Sequence, residues 1–313
     1  MKPAYSVLFL TTLLGAGQGL FLALYGVEVA VWAGRVPPQD PVVFFGAGGA
    51  VVLGLLGLGL VASVFHLGRP ERGWRAFSQW RTSWLSREVI VLPLFMAAVF
   101  AYAVAHVVGY GATLWLGAAG VVLCVALFVC TGMIYACLKF LQEWHTPLTV
   151  INYFLLGTAS GLTAATAFAA WAAPALTASL ATLAVAVTLL AFLFRVASLV
   201  RNARLRPQST LQTAIGIKHP RIAQKSQGFM GGSYNTREFF HGRPLAWVRW
   251  VKWAFLVLVF PVPVVLLAAG LATASAAVLA AAFLVQYAGL LAERWFFFAQ
   301  ARHPQNLYYQ ATS

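Results

Sequence analysis

Residues 42–65 read VVFFGAGGAVVLGLLGLGLVASVF, an apolar run without a charged side chain. A transmembrane helix needs about 20 such residues. The run shows none of the polar and apolar alternation that suits a membrane barrel strand. Because every backbone polar group must be paired inside a bilayer, we predict that this run forms a membrane-spanning helix.

The composition extends this prediction to the whole chain. Hydrophobic residues make up 61% of it, charged residues 9%, and the mean hydropathy is +0.81. Soluble domains carry about 25% charged residues, so a soluble fold is excluded. We predict one all-α integral-membrane domain over 1–313, with a retained first helix and no second, soluble domain. Its eight predicted spans are Val7–Trp32, Val42–Phe65, Val89–Val108, Thr113–Phe140, Leu148–Trp171, Ala175–Val200, Leu245–Gly270 and Ala272–Phe298.

The positive charge lies on one side of this predicted bundle. Of the 21 Lys and Arg residues, only Arg35 falls on the opposite side. Lys and Arg resist translocation, so that side is expected to be cytoplasmic, with both termini on it and the chain in an inner membrane. In a soluble chain a net charge of +14 would suggest nucleic acid. Here the topology explains the charge, and we expect membrane lipid but no nucleic acid as a partner.

The connection 66–88 carries aromatic side chains at helical spacing. Trp74, Phe77, Trp80 and Trp84 recur every three or four residues, with arginines such as Arg81 between them. This pattern predicts a short amphipathic helix in the membrane interface. It would form a roof of aromatic and guanidinium groups over the end of the bundle.

Two titratable residues bracket this connection. His66 ends the second span and Glu88 begins the third, so both are expected at a similar depth. Reducing a quinone to a quinol takes up two protons, and a histidine and a carboxylate at the edge of the hydrocarbon suit that exchange. The alternative is structural, because an acid at a helix N-terminus is favoured by the helix dipole alone. Spacing by itself leaves both interpretations open.

Two other functions remain open. A haem-b cytochrome would need facing histidines, but the six histidines are scattered over both ends of the predicted bundle; a Soret band of the purified chain would reveal haem. A transporter would need polar groups near mid-membrane, and we find no internal repeat or matching pair of broken helices. Cys124, Cys130 and Cys137 fall in one apolar segment and are interpreted as packing residues, so no metal site is predicted.

Two further segments complete the predictions. The cytoplasmic loop 201–244 is basic yet contains several aromatic residues, which favours a partly ordered platform for a protein partner. Binding of anionic lipid head groups is the alternative. At the end of the last span, Glu293 and Arg294 form either a structural pair or part of the surroundings of the quinone pocket.

The run His66-Leu-Gly-Arg-Pro, continuing to Trp84-Leu-Ser-Arg-Glu88, resembles the membrane-anchor subunits (DmsC) of DMSO-reductase-type molybdoenzymes. The resemblance covers most of the chain. It implies a quinone-reactive anchor that exchanges electrons with a partner carrying four ferredoxin-like iron–sulfur clusters, which in turn binds a molybdopterin catalytic subunit. It also implies a quinone role for His66 and Glu88, and we add Arg69, Arg81 and Trp84 to the predicted pocket. No metal or haem is expected in this chain.

One segment departs from the sulfoxide-reducing anchors. The stretch with Lys218-His-Pro-Arg and residues 228–241, GFMGGSYNTREFFH, is longer than expected between the sixth and seventh spans. It is more similar to the anchors of cytoplasmic sulfite-oxidising relatives. That similarity implies electron flow from molybdenum through the clusters into quinone.

Overall fold

The structure is a computed structural model that describes residues 4–65, 67, 69–222, 245–302 and 304. This part of the chain contains helices and connections and no strand. The ten α-helices are α1 (Tyr5–Trp32), α2 (Ala47–Val64), α3 (Trp84–Val107), α4 (Thr113–Ala136), α5 (Pro147–Ala172), α6 (Thr177–Ala203), α7 (Leu211–Ile215), α8 (Leu245–Val259), α9 (Pro261–Ala272) and α10 (Ala276–Ala299). A π-helical turn, Pro41–Gly46, leads into α2.

Eight helical segments are long and apolar enough to cross a membrane, as predicted. Exposed aromatic side chains mark both ends of the bundle. Trp74, Trp80, Trp247 and Trp250 lie towards one end, and Trp32, Tyr110, Trp115 and Trp171 lie towards the other. Tryptophan and tyrosine concentrate at the two membrane–water interfaces. The end that holds the connections 65–83, 137–146 and 204–222 is called the basic side below.

The two central helices cross through glycine. Gly15 and Gly19 of α1 face Gly157 and Gly161 of α5, so each helix presents a glycine pair four residues apart. A Cβ added to Gly161 would lie 2.2 Å from the backbone carbonyl carbon of Gly19. Small residues at this spacing let transmembrane helices approach at backbone contact.

Around this crossing the helices form two four-helix bundles. The first bundle contains α1 to α4, and the second contains α5, α6, the α8–α9 pair and α10. The members of each bundle are counted in chain order, with the α8–α9 pair as one member. The first member contacts the second and the fourth, and the third member contacts the same two. The fourth member of each bundle also packs on the first member of the other bundle, since α4 contacts α5 and α10 contacts α1. The two bundles therefore share one pattern of helix contacts, although the sequence shows no recognisable repeat.

The seventh span is broken, whereas the sequence predicted one continuous helix from Leu245 to Gly270. Phe260 separates α8 from α9, because Pro261 and Pro263 supply no N–H groups. The carbonyl of Val259, which would pair with residue 263, accepts instead from Gln286 Nε2 at 3.2 Å. A buried side chain of α10 thus satisfies the backbone group that the break exposes.

The third span begins earlier than predicted, at Trp84 instead of Val89. Ser83 caps it, since the Ser83 hydroxyl accepts a hydrogen bond from the backbone N–H of Ser86 at 3.3 Å. The interfacial segment also differs from one amphipathic α-helix. It is a 3₁₀ helix over Pro70–Gln79 followed by a turn, so Trp84 belongs to the span.

Candidate functional site

Glu88 is the centre of the candidate site. It lies in the second turn of α3 on the basic side, and only 7% of it is exposed. The hydroxyl of Thr131, on α4, donates a hydrogen bond to Glu88 Oε1. No other described residue hydrogen-bonds this carboxylate, and no described cation forms an ion pair with it. Glu88 is therefore a buried acid whose described hydrogen-bond partner is a neutral hydroxyl.

Thr131 was not predicted from the sequence. A threonine inside a helix usually bonds a carbonyl of the preceding turn, and nothing in the sequence distinguishes one that does not. Only the packing of α3 on α4 brings its hydroxyl to Glu88. Cys130 and Tyr135 of the same helix lie near the carboxylate.

The predicted pocket residues are placed unevenly. His66 lies outside the described residues. Trp84 is half-buried at the start of α3, with the Arg87 guanidinium 4.2 Å from its ring. Arg69 and Arg81 are exposed, and no contact joins either to Glu88 in the described part of the chain. Their place in the pocket remains a prediction.

Arg87 connects the interfacial segment to the third span. Its Nε donates to the carbonyl of Trp80 at 2.9 Å, and its Nη2 donates to the carbonyl of Arg81 at 2.8 Å. Arg87 was not among the predicted site residues. These bonds fix the turn before α3 and hold the aromatic segment against the helix that carries Glu88.

Glu293 and Arg294 belong to a second buried charge cluster. Arg195 Nε lies 2.7 Å from Glu293 Oε1, and Arg294 Nε lies 2.6 Å from Glu293 Oε2. The three residues are at most 4% exposed. One carboxylate thus balances two guanidinium groups inside the second bundle. Arg195 was not predicted, although a charge within an apolar span is a sequence signal for a buried functional or paired group.

Aromatic rings pack against the arginines of this triad. The Arg294 guanidinium lies 4.0 Å from the Tyr153 ring centroid, and the Tyr153 and Tyr135 rings stack at 5.7 Å. Tyr135 lies near both Glu88 and Arg294. The role of Glu293 and Arg294 around the pocket remains a prediction.

The opposite side of the first bundle carries another buried acid. Glu28 Oε1 lies 3.4 Å from His106 Nε2, and Phe45 stacks on the imidazole at 4.0 Å. This pair joins α1 to α3 near the far ends of both helices. It is remote from Glu88, which lies at the start of α3.

An apolar groove of about 500 Å³ lies beside the end of α2. Phe9 and Leu13 of α1 line one wall, and Leu58, Val61 and Phe65 of α2 line the other. The groove reaches the residue that precedes His66. Among the described residues, no three His, Cys, Asp or Glu side chains lie close enough to hold a metal ion.

The eight spans and the interfacial aromatics define a multi-pass membrane protein whose buried acids lie at the ends of its bundles. The family model of the DMSO reductase anchor subunit (DmsC) matches residues 1–300. The chain belongs to this family and is a membrane anchor subunit of a molybdoenzyme complex. It is 54% identical to a sulfite dehydrogenase subunit of Allochromatium vinosum, in an alignment that covers 100% of both chains.

Proposed function

We propose that this anchor exchanges electrons between the quinone pool and an iron–sulfur partner subunit, and that its quinone site lies at Glu88 and His66. The observation that carries the proposal is the buried Glu88 at the basic end of the first bundle, whose carboxylate forms no ion pair with a described residue. The name of the relative supports sulfite oxidation as the reaction of the complex, with electrons flowing from molybdenum through the partner's clusters into quinone.

The chemistry of the carboxylate suits proton exchange. Thr131 holds one oxygen of Glu88, and no described residue hydrogen-bonds the other, Oε2. A carboxylate that forms no ion pair can gain or lose a proton without leaving a buried cation uncompensated. Quinone reduction consumes two electrons and two protons, so Glu88 would pass one proton to the ring oxygens and His66 the other.

The apolar groove supports a place for the isoprenoid tail. It runs along α1 and α2 from the basic side into the bilayer, and Phe65 lines its end. Its volume lies within the range of small-molecule sites, about 300–1,000 Å³. If the quinone ring binds at His66, its isoprenoid tail could lie along this groove and reach the surrounding lipid.

The basic side supports the proposed docking face. Under the positive-inside rule it faces the cytoplasm, which puts both termini there and the chain in an inner membrane. Arg201 extends from the end of α6 and donates to the carbonyls of Gln142, at 3.0 Å, and His145, at 3.3 Å. The beginning of loop 201–244 is thereby attached to the bundle, which favours a platform for the iron–sulfur subunit. Residues 223–244 of the predicted platform lie outside the described residues.

The test separates quinone exchange from substrate oxidation in the purified complex. Glu88→Gln keeps the shape of the side chain and removes its titration. We expect quinone turnover to fall by about 100-fold or more, within the range lost with a positioned acid or base. Reduction of an artificial dye by the soluble subunits should stay at the wild-type rate.

Matched variants control this test. Glu71→Gln removes an exposed carboxylate of the 3₁₀ helix and should leave both rates unchanged. His66→Ala should resemble Glu88→Gln, and His219→Ala, in the exposed loop, should resemble wild type. Wild-type quinone turnover in Glu88→Gln would refute the assigned site.

A further inference from the structure

The second bundle contains a cavity of about 600 Å³ on the basic side. It lies between the end of α6 and the beginning of α8, and α10 forms its inner wall. Leu199, Phe296 and Phe140 supply apolar surface, and Lys252, Arg302 and Glu143 supply charges. Its place in the second bundle corresponds to that of the proposed quinone site in the first, because both lie where the second, third and fourth members of a bundle reach the basic side.

The cavity opens where two helices part. The guanidinium of Arg195, on α6, lies 5.4 Å from the ring centroid of Phe255, on α8, and this contact connects the two helices. Leu199 follows Arg195 by one turn, and Lys252 precedes Phe255 by about one turn. The cavity is therefore a wedge one turn above this contact, at the level where the bundle meets the membrane surface.

The charge beneath the wedge is positive. Arg195 and Arg294 share the single carboxylate of Glu293, so the buried triad has a net charge of +1. Arg195 Nη2 is buried and has no hydrogen-bond partner among the described residues. Unpaired buried N–H groups and an uncompensated charge both favour a nearby anion.

The walls of the cavity add to this potential. Lys252 and Arg302 outnumber Glu143, and neither cation forms an ion pair with another described residue. The edge of the cavity is held by hydrogen bonds, since Asn202 Nδ2 donates to the carbonyl of Glu143 at 3.3 Å and Gln208 N–H donates to Gln142 Oε1 at 3.2 Å. The two cations therefore line a cavity whose edge is joined by hydrogen bonds.

We propose that this cavity binds the phosphate of an anionic phospholipid head group. The phosphate would lie between Lys252 and Arg302, above the positive triad, with the glycerol and upper acyl carbons against Leu199 and Phe296. Basic pockets between transmembrane helices at the cytoplasmic surface are suited to such head groups. Its mixture of cations and apolar walls distinguishes it from the nearly apolar groove beside α2.

The experiment uses the full-length chain purified from vesicles that contain phosphatidylglycerol and phosphatidylcholine. Native mass spectrometry counts the lipid that stays bound after detergent exchange. We expect wild type to retain phosphatidylglycerol selectively and the double variant Lys252→Gln/Arg302→Gln to retain it about 10- to 30-fold less. The control Lys218→Gln/Arg221→Gln removes the same charge from the exposed loop and should retain lipid like wild type.

Further arms make the result decisive. Leu199→Trp fills the wedge without changing its charge and should also displace the lipid. This variant keeps the proposal testable if the charge variant fails to fold. Equal retention in wild type and in either cavity variant would overturn the proposal. Displacement of the lipid by millimolar inorganic phosphate would assign the site to free phosphate instead. Loss of the lipid from the assembled complex would assign the cavity to a partner segment.

Discussion

Each bundle has a buried carboxylate towards the basic side, Glu88 on the third member of the first bundle and Glu293 on the fourth member of the second, and the two are surrounded differently. Glu88 in the first bundle accepts one hydrogen bond from a neutral hydroxyl, whereas Glu293 in the second lies between two guanidinium groups at 2.6 and 2.7 Å. Glu88 forms no ion pair with a described residue, and an acid in that situation can exchange a proton. A buried acid that compensates two cations cannot do so without a large electrostatic cost. The same packing therefore provides a site suited to proton transfer in one half and a fixed positive site in the other.

The largest effect is expected at the fixed carboxylate. Glu293→Gln leaves Arg195 and Arg294 buried without a counter-charge, which should lower the free energy of unfolding by about 3–5 kcal/mol. The midpoint of denaturant-induced unfolding in detergent micelles measures this. Glu71→Gln, on the exposed 3₁₀ helix, should change the stability by no more than about 0.5 kcal/mol. If Glu293→Gln were as stable as wild type, Glu293 would not be the group that compensates the buried charges of Arg195 and Arg294.

Separating the bundles is expected to cost somewhat less. Gly161→Ala puts a Cβ 2.2 Å from the backbone of Gly19, so α1 and α5 must move apart, at a cost of about 3 kcal/mol. Unfolding of the purified chain checks this value. The control is Gly57→Ala on α2, where an added Cβ meets nothing within 4 Å. A neutral effect at Gly161 would contradict the close crossing that joins the two bundles.

The broken span distinguishes the second bundle from the first. Gln286→Leu removes the donor to the Val259 carbonyl, which Pro263 cannot replace, so the unfolding free energy should fall by about 1–3 kcal/mol. Gln286→Glu would not restore this bond while ionised, because a carboxylate only accepts hydrogen bonds. Thermal unfolding of both variants would show the loss. Unchanged midpoints would mean that the carbonyl has another donor.

The smallest effect on stability is expected at Thr131. Thr131→Val removes the hydrogen bond to Glu88 and should cost about 1 kcal/mol, while Thr131→Ser should preserve it. The functional consequence sharpens the comparison, because the pH dependence of quinone turnover should shift in the valine variant and return in the serine variant. Identical pH profiles for valine and serine would show that Thr131 does not position the carboxylate.

The sequence predicted the fold well because membrane spans follow from local hydropathy. The eight spans and the candidate Glu88 needed only apolar length and the spacing of titratable residues. The partners of Glu88 and Glu293 could not be predicted, since Thr131 and Arg195 are far away in the chain and meet them only through helix packing. The break at Phe260 was visible as Pro261 and Pro263, but its stabilisation depends on Gln286 of a different helix.

The most direct test of the central claim observes the carboxylate during quinone exchange. Infrared difference spectra of the assembled complex, recorded between oxidised and reduced quinone, report the stretching band of a protonated carboxyl group. We predict a band that disappears in Glu88→Gln and persists in Glu71→Gln. A band that is unchanged in Glu88→Gln would contradict the assignment of proton exchange to the first bundle.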